Sequence, residues 1–213
     1  MTTPMRFYDC KTAPSPRRAR IFIAEKALEI DTVEVDLGKG EHLGEEFRKI
    51  NPRCTVPVLT LDDGTALTEN AGIAAHLESY CPAPPLLGSN AKEKGVIAMW
   101  NARIELEGLL PVAEAFRNRS KGLKDRAIVG PRNFAQIPAL SERGFERAKD
   151  FLAMLDETLM ERPFIAGAQF SIVDITALCV VDFAAWIKIT PQDTQTNLRR
   201  WHAEVSARPS AQL

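Results

Sequence analysis

The stretch CPAPPLLGSN (81–90) separates two parts of the chain whose apolar residues follow different periods, and this constrains the fold more than any other feature. Prolines and small polar residues at that density read as a linker at a domain boundary. Before the linker, strand-like and helix-like runs alternate. MRFYD (5–9) reads as a short strand with a turn-rich exit, CKTAPSP, and RRARIFIAEKALEI then places Ile21, Ala24 and Leu28 at helical spacing. TVEVDL (32–37) alternates like a strand, and KGEHLGEEFRKINP reads as a loop with a short helix closed by Asn51-Pro52. VPVLTL (56–61) and TALT (65–68) flank Asp62-Asp63-Gly64 as a hairpin, and ENAGIAAHLESY follows as a helix. The predicted order is βαβ followed by ββα. After the linker every periodic pattern is helical. EKGVIAMWNARIELEGLLPVAEAFRNRS forms one long candidate in which Pro111 predicts a kink, and SIVDITALCVVDFAAWIKI is apolar enough to be a buried core helix. RSKGLKDRAIVGPRNFAQIP (119–138) is basic and irregular, as expected of a loop. The predicted division is 1–82, a linker at 83–90, and an all-helical part over 91–213.

Composition narrows the classes of function. A chain of 213 residues with 45% hydrophobic and 26% charged side chains is long enough for one large domain or two small ones, each able to bury a core. The net charge of −1 argues against nonspecific nucleic-acid binding. MTTPMRFYDC has neither the basic nor the apolar region of a secretory leader, and no apolar run reaches the roughly 18 residues of a membrane span. Cys10, Cys54, Cys81 and Cys179 form no CxxC pair, so neither a metal site nor a disulfide framework is expected. A reducing, cytoplasmic setting is expected.

A few residues have the chemistry to form a site. Ser15 stands at the turn into the first helix, where a hydroxyl either caps the helix or, beside the positive end of its dipole, stabilises a nearby anion. Thr12 and Cys10 are its close rivals, with Cys10 nearer the strand end and read as a packed thiol. Glu69 and Asn70 begin a helix, as a capping pair or as part of a cradle for a carboxylate on free N–H groups. Pro57 opens a strand although proline has no N–H for a ladder. His42, Lys39, Arg53 and Arg17 read as surface charges. Ser171-Ile172-Val173-Asp174 has the form of an acidic capping box, and the structural role is preferred there.

The order of these pieces resembles the soluble glutathione S-transferase family, in particular theta-type and related bacterial members. The resemblance covers essentially the whole chain. It rests on Ser15-Pro16 before the first helix, KGEHLGEEFRKINP, VPVLTLDDGTALTEN and SIVDITAL, each in the expected element. It implies a thioredoxin-like α/β domain followed by an all-α helical bundle, paired as a homodimer, with glutathione as co-substrate and a small electrophile as the other reactant. It places Ser15 at the position of the catalytic Ser or Cys. His42 falls where the glycyl carboxylate is contacted. A cis Val56–Pro57 bond would leave the Val56 backbone to pair with the cysteinyl unit. Glu69 would fix the γ-glutamyl amine, and Asn70 stands where relatives usually have Ser. A second-substrate pocket between the domains would draw on Trp100, Ile104, Leu109 or Phe116, although their helical spacing favours the core for most of them. Attack on carbon, displacement of halide and peroxide reduction would suit the same site. The rival readings are a glutathione-dependent disulfide reductase or peroxidase working through mixed disulfides, and a transferase-like interaction protein without catalysis.

Overall fold

The first strand, β1 (Arg6–Asp9), is central, with its side chains alternating between half-buried and buried positions. The structure is a computed structural model and describes residues 5–213. β1 pairs in parallel with β2 (Asp31–Glu34) and antiparallel with β3 (Val58–Thr60), and β3 pairs with β4 (Ala66–Leu67), giving the order β2-β1-β3-β4. The parallel pair requires a crossover, which α1 (Pro14–Glu25) supplies. α2 (Glu45–Ile50) and α3 (Asn70–Tyr80) complete the βαβ–ββα unit. The β3–β4 hairpin turns on Gly64 at φ 87°, and Thr65 N–H donates to Asp63 Oδ1 at 2.8 Å. Val35, Phe47 and Val58 form a buried cluster against which Tyr8 and Val56 pack.

The first helix starts and stops earlier than its apolar spacing predicts. It starts at Pro14, because a proline in the first turn gives up only an N–H that the helix would leave unbonded. It stops at Glu25, where Ala27 turns left-handed (φ 50°) and Leu28 N–H reaches back to Ile23 O. Lys26 at this end points inward. Its side chain is fully buried and pairs with Glu78 of α3 at 2.6 Å.

The chain divides into two compact units, one running through Pro84 and including Val129–Asn133, the other comprising Pro85–Ile128 and Phe134–Leu213. The second unit is helical: α4 (Ala91–Arg103), α5 (Leu110–Arg117), α6 (Pro138–Thr158), α7 (Ile172–Ala185) and α8 (Thr196–Ser206). α4 and α5 are joined without a loop by a π-helical stretch, Ile104–Leu109, in which Leu110 N–H reaches Glu105 O. Pro111 has no N–H, and the wider π turn absorbs the mismatch, so the disruption predicted at Pro111 takes the form of a π segment just before it. α5 lies close against α6. A Cβ on Gly144 would stand 2.6 Å from Pro111 O and 2.7 Å from Ala115 N, so only glycine fits. Among the described residues no helix is long and apolar enough to cross a membrane.

α7 is buried along almost its whole length, and its start is fixed by Ser171 and Asp174 as a capping box. Asp174 is fully buried. One carboxylate oxygen accepts from Ile165 N at 3.1 Å and Trp201 Nε1 at 2.9 Å, and the other from Ser171 N at 3.0 Å and Ser171 Oγ at 3.3 Å. Burial pushes its pKa up from 3.8 to about 6, against the opposing pull of the hydrogen bonds from Ile165, Trp201 and Ser171. The carboxyl therefore binds its proton more tightly folded than unfolded. Its contribution to stability is fully present below 3.8 and is lost as pH rises through about 6. Asp174→Asn should cost about 3 kcal/mol at neutral pH, since an amide cannot accept at both positions. In urea titrations, the advantage of wild type over this variant should be level above pH 6 and widen as pH falls from about 6 toward 3.8. A gap that narrows with acid would mean that the donors outweigh burial.

Candidate functional site

The loop between β1 and α1 is held by a buried ion pair. Arg20 Nη1 of α1 donates to both oxygens of Asp9, at 2.7 and 2.6 Å, and Arg20 Nη2 donates to Lys11 O at 3.2 Å. Asp9, 1% exposed, also accepts Cys10 N–H at 2.7 Å. The loop is thereby fixed at both ends before the chain enters α1. Cys10 is buried, with Sγ 3.5 Å from Thr12 Oγ1, so the two rivals of Ser15 face each other.

Ser15 is half-buried in the first turn of α1 and does not cap it. The N-cap residue is Ala13, and no side chain bonds there. Two donors converge on Ser15 Oγ instead: Arg18 Nη2 at 3.2 Å and Asn70 Nδ2 at 3.1 Å. Arg18 is 7% exposed. Among the described residues no acceptor takes the Ser15 proton. Arg18 is absent from the residues singled out by sequence, although its spacing from Ser15 puts both on one helix face and could have pointed to it.

Asn70 opens α3, with Glu69 as the N-cap residue and no side-chain bond at the cap, so the capping reading of this pair does not hold. The Asn70 amide is spent on Ser15 from 55 positions away in sequence, and its Oδ1 is buried without a partner. Glu69 is exposed, and the N–H groups of the first turn of α3 have no partner within the helix.

The Val56–Pro57 bond is cis. The approach to it is shaped by Asn51, which is fully buried and donates through Nδ2 to Thr55 O at 2.8 Å and Thr55 Oγ1 at 3.0 Å while accepting Arg53 N–H at 2.9 Å. The Val56 side chain packs on the Val35–Phe47–Val58 cluster. Neither its N–H nor its C=O is hydrogen-bonded among the described residues. His42 is half-buried in the 3-10 turn Glu41–Leu43 that leads into α2, whose Phe47 belongs to that same cluster. Lys39 is exposed and paired with Asp36 at 3.1 Å. The structure thus joins Ser15 and Asn70 directly and Glu69 through its neighbour, while His42 and Val56–Pro57 occupy segments of their own. In the helical unit Trp100 and Ile104 are core residues, whereas Phe116 borders a cavity.

The family model of the glutathione S-transferase N-terminal domain matches residues 12–79, and that of the C-terminal domain matches residues 124–209. Glutathione S-transferase 2 of Saccharomyces cerevisiae is 38% identical over 99% of this chain and 89% of its own length. This chain belongs to the glutathione S-transferase family. The crystal structure of Gtt2 from Saccharomyces cerevisiae superposes with a TM-score of 0.88 at 36% identity, over 97% of this chain and 98% of that one. A glutathione S-transferase domain-containing protein from Marinobacter aquaeolei VT8 gives 0.89 at 37% identity, over 97% and 99%. The fold of this glutathione S-transferase family member is the one the sequence resemblance implies, a thioredoxin-like mixed sheet with helices followed by a helical domain.

The Ser15–Asn70 contact makes a measurable statement about this glutathione S-transferase family member. A double-mutant cycle of Ser15→Ala and Asn70→Ala, read by urea unfolding, should give a coupling energy of about 0.5–1.5 kcal/mol. Strict additivity would mean that the two side chains do not meet in solution.

Proposed function

We propose that the chain binds glutathione on its first unit and transfers it to a small electrophile, with Ser15 donating the hydrogen bond that holds the sulfur as thiolate. The observation that carries this reading is the pair of donors on Ser15 Oγ, Arg18 at 3.2 Å and Asn70 at 3.1 Å. With its lone pairs occupied, the hydroxyl retains its proton to give, and a thiolate is a fitting acceptor. The Arg18 guanidinium and the N-terminus of α1 add positive potential beside that oxygen, which lowers the pKa of a thiol held there. The thiolate attacks an electrophilic carbon, and its electron pair forms the carbon–sulfur bond as halide leaves or an activated double bond takes up a proton.

The rest of the peptide has complementary groups. The N–H groups at the start of α3 suit the γ-glutamyl carboxylate and Glu69 its amine. The unpaired Val56 N–H and C=O, next to Pro57, suit the cysteinyl backbone as a short added strand. His42 is assigned to the glycyl carboxylate. Asn70, in place of the usual Ser, serves the site through Ser15. We assign the protein to a reducing cytoplasm, consistent with four cysteines that are all free thiols. We also infer that two copies pair, supported by Met99, Leu106 and Leu110, which are exposed on one continuous helical run.

Ser15→Ala tests the central claim. Conjugation should slow on the order of a hundredfold. Glutathione affinity by calorimetry should be largely kept, and the pKa of the bound thiol, followed by thiolate absorbance, should rise. Unchanged turnover with unchanged ionisation would remove Ser15 from the mechanism. Glu69→Ala should weaken glutathione binding about tenfold or more at nearly unchanged Tm. Equal affinity would refute its role.

A further inference from the structure

The segment RSKGLKDRAIVGPRNFAQIP (119–138) takes no part in the proposed chemistry. Where it belongs to the helical unit, its two halves are tied to each other and to the end of α5. Ala127 N–H donates to Phe134 O at 3.1 Å, and Phe134 N–H donates to Asp125 O at 2.9 Å. Arg117 Nε donates to Ala127 O at 3.2 Å. Gln136 Nε2 donates to Arg117 O at 2.7 Å and to Ser120 O at 2.8 Å, and Ile137 N–H donates to Asn118 Oδ1 at 2.9 Å. These bonds set Ile128 beside Phe134 and bring Ile137 back beside the 3-10 turn Lys121–Leu123.

The backbone is tied down, yet large apolar side chains on it face water. Ile128 is 54% exposed, Ile137 52% and Phe134 38%. Single apolar side chains on a surface are ordinary, but three on one pinned loop mark a surface that is covered in use. Because the loop is already ordered, covering it costs little further conformational entropy. The charges around it select the cover. The segment carries five Lys or Arg against one acid, Asp125, in a chain whose net charge is −1. Lys121 and Lys124 are exposed and form no ion pair among the described residues. A second copy docked here across a two-fold axis would bring the same cations together. An anionic bilayer suits both kinds of side chain. Isoleucine and phenylalanine enter at the headgroup–acyl boundary, while lysine stems lie along it and keep their ammonium groups at the anionic heads.

We infer that this loop docks the protein on an anionic lipid surface, with Ile128, Phe134 and Ile137 at the acyl boundary and Lys121 and Lys124 among the headgroups. The contact is peripheral and needs neither a membrane-spanning helix nor glutathione, so it stands apart from the reading of the first unit.

Sedimentation with vesicles tests this. Wild type should bind vesicles of phosphatidylcholine mixed with phosphatidylserine about tenfold or more tightly than vesicles of phosphatidylcholine alone, and added salt should release it. The double variant Ile128→Ser, Ile137→Ser should bind the mixed vesicles about tenfold or more weakly, since its loop has lost the aliphatic area to insert. Lys121→Gln with Lys124→Gln should lose about twentyfold, because one lysine close to an anionic surface is worth about fivefold. All four side chains are exposed, so both double variants should keep the wild-type Tm. No binding of wild type to the mixed vesicles, or equal binding by wild type and the isoleucine variant, would overturn the inference. A lower oligomer mass of the isoleucine variant in light scattering would also overturn it, by assigning the apolar surface to a second copy.

Discussion

A single buried carboxylate organises the helical half of this protein. Asp174 receives hydrogen bonds from Ile165, Trp201 and, twice, Ser171. Those donors belong to the chain before α7, to the helix start itself and to α8. A group of that kind costs much to bury and is tolerated only when its acceptor capacity is filled. The same requirement fixes three segments relative to one another, because each donor would be left unsatisfied if its segment moved. α7 is thereby aligned at one end, and the left-handed Lys188 marks where it stops at the other.

The first unit meets the same problem with charge pairs. Asp9 and Arg20 tie the exit of β1 to α1, and Lys26 and Glu78 tie the end of α1 to α3. Between these two pairs runs the helix that carries Ser15 and Arg18. The hydroxyl that the proposed chemistry uses is therefore set by elements locked at both ends. The Asn70 amide closes the arrangement from α3 at 3.1 Å. An oxygen with its lone pairs engaged is oriented before any ligand arrives, which is where preorganised electrostatic stabilisation gains over water.

The two units offer different chemistry. The first presents a Val56 backbone that is unpaired among the described residues, helix N-termini and a hydroxyl, groups suited to a peptide-like ligand. The second presents aromatic faces and two cations, Arg119 and Lys188, around a cavity. There the Arg119 guanidinium lies over the Phe145 ring at 5.3 Å, because a ring face and a guanidinium attract each other.

Much of this was legible in the sequence. Strand alternation, helical spacing and the break in period at 81–90 depend on local physics, and they gave the βαβ–ββα order and the helical remainder. The capping box at Ser171 and Asp174 was legible because both partners lie within one turn. Ser15, Glu69, Asn70, Val56, Pro57 and His42 could be named from the resemblance, but their partners could not. Whether Ser15 caps α1 or faces Asn70 depends on a contact 55 positions away, which no window contains. The early stop of α1 was hidden because Lys26 turns inward to a residue of another helix. Pro111 announced a disturbance, and the packing of Gly144 against α5 shows the tight environment in which a π turn carries it. The sequence by itself determined the elements and their order, since these follow from the period of apolar residues along the chain. Only the tertiary structure decided which donors meet at Ser15 and which acids neutralise which cations, since a hydrogen bond or an ion pair depends on distances in space that linear spacing does not encode.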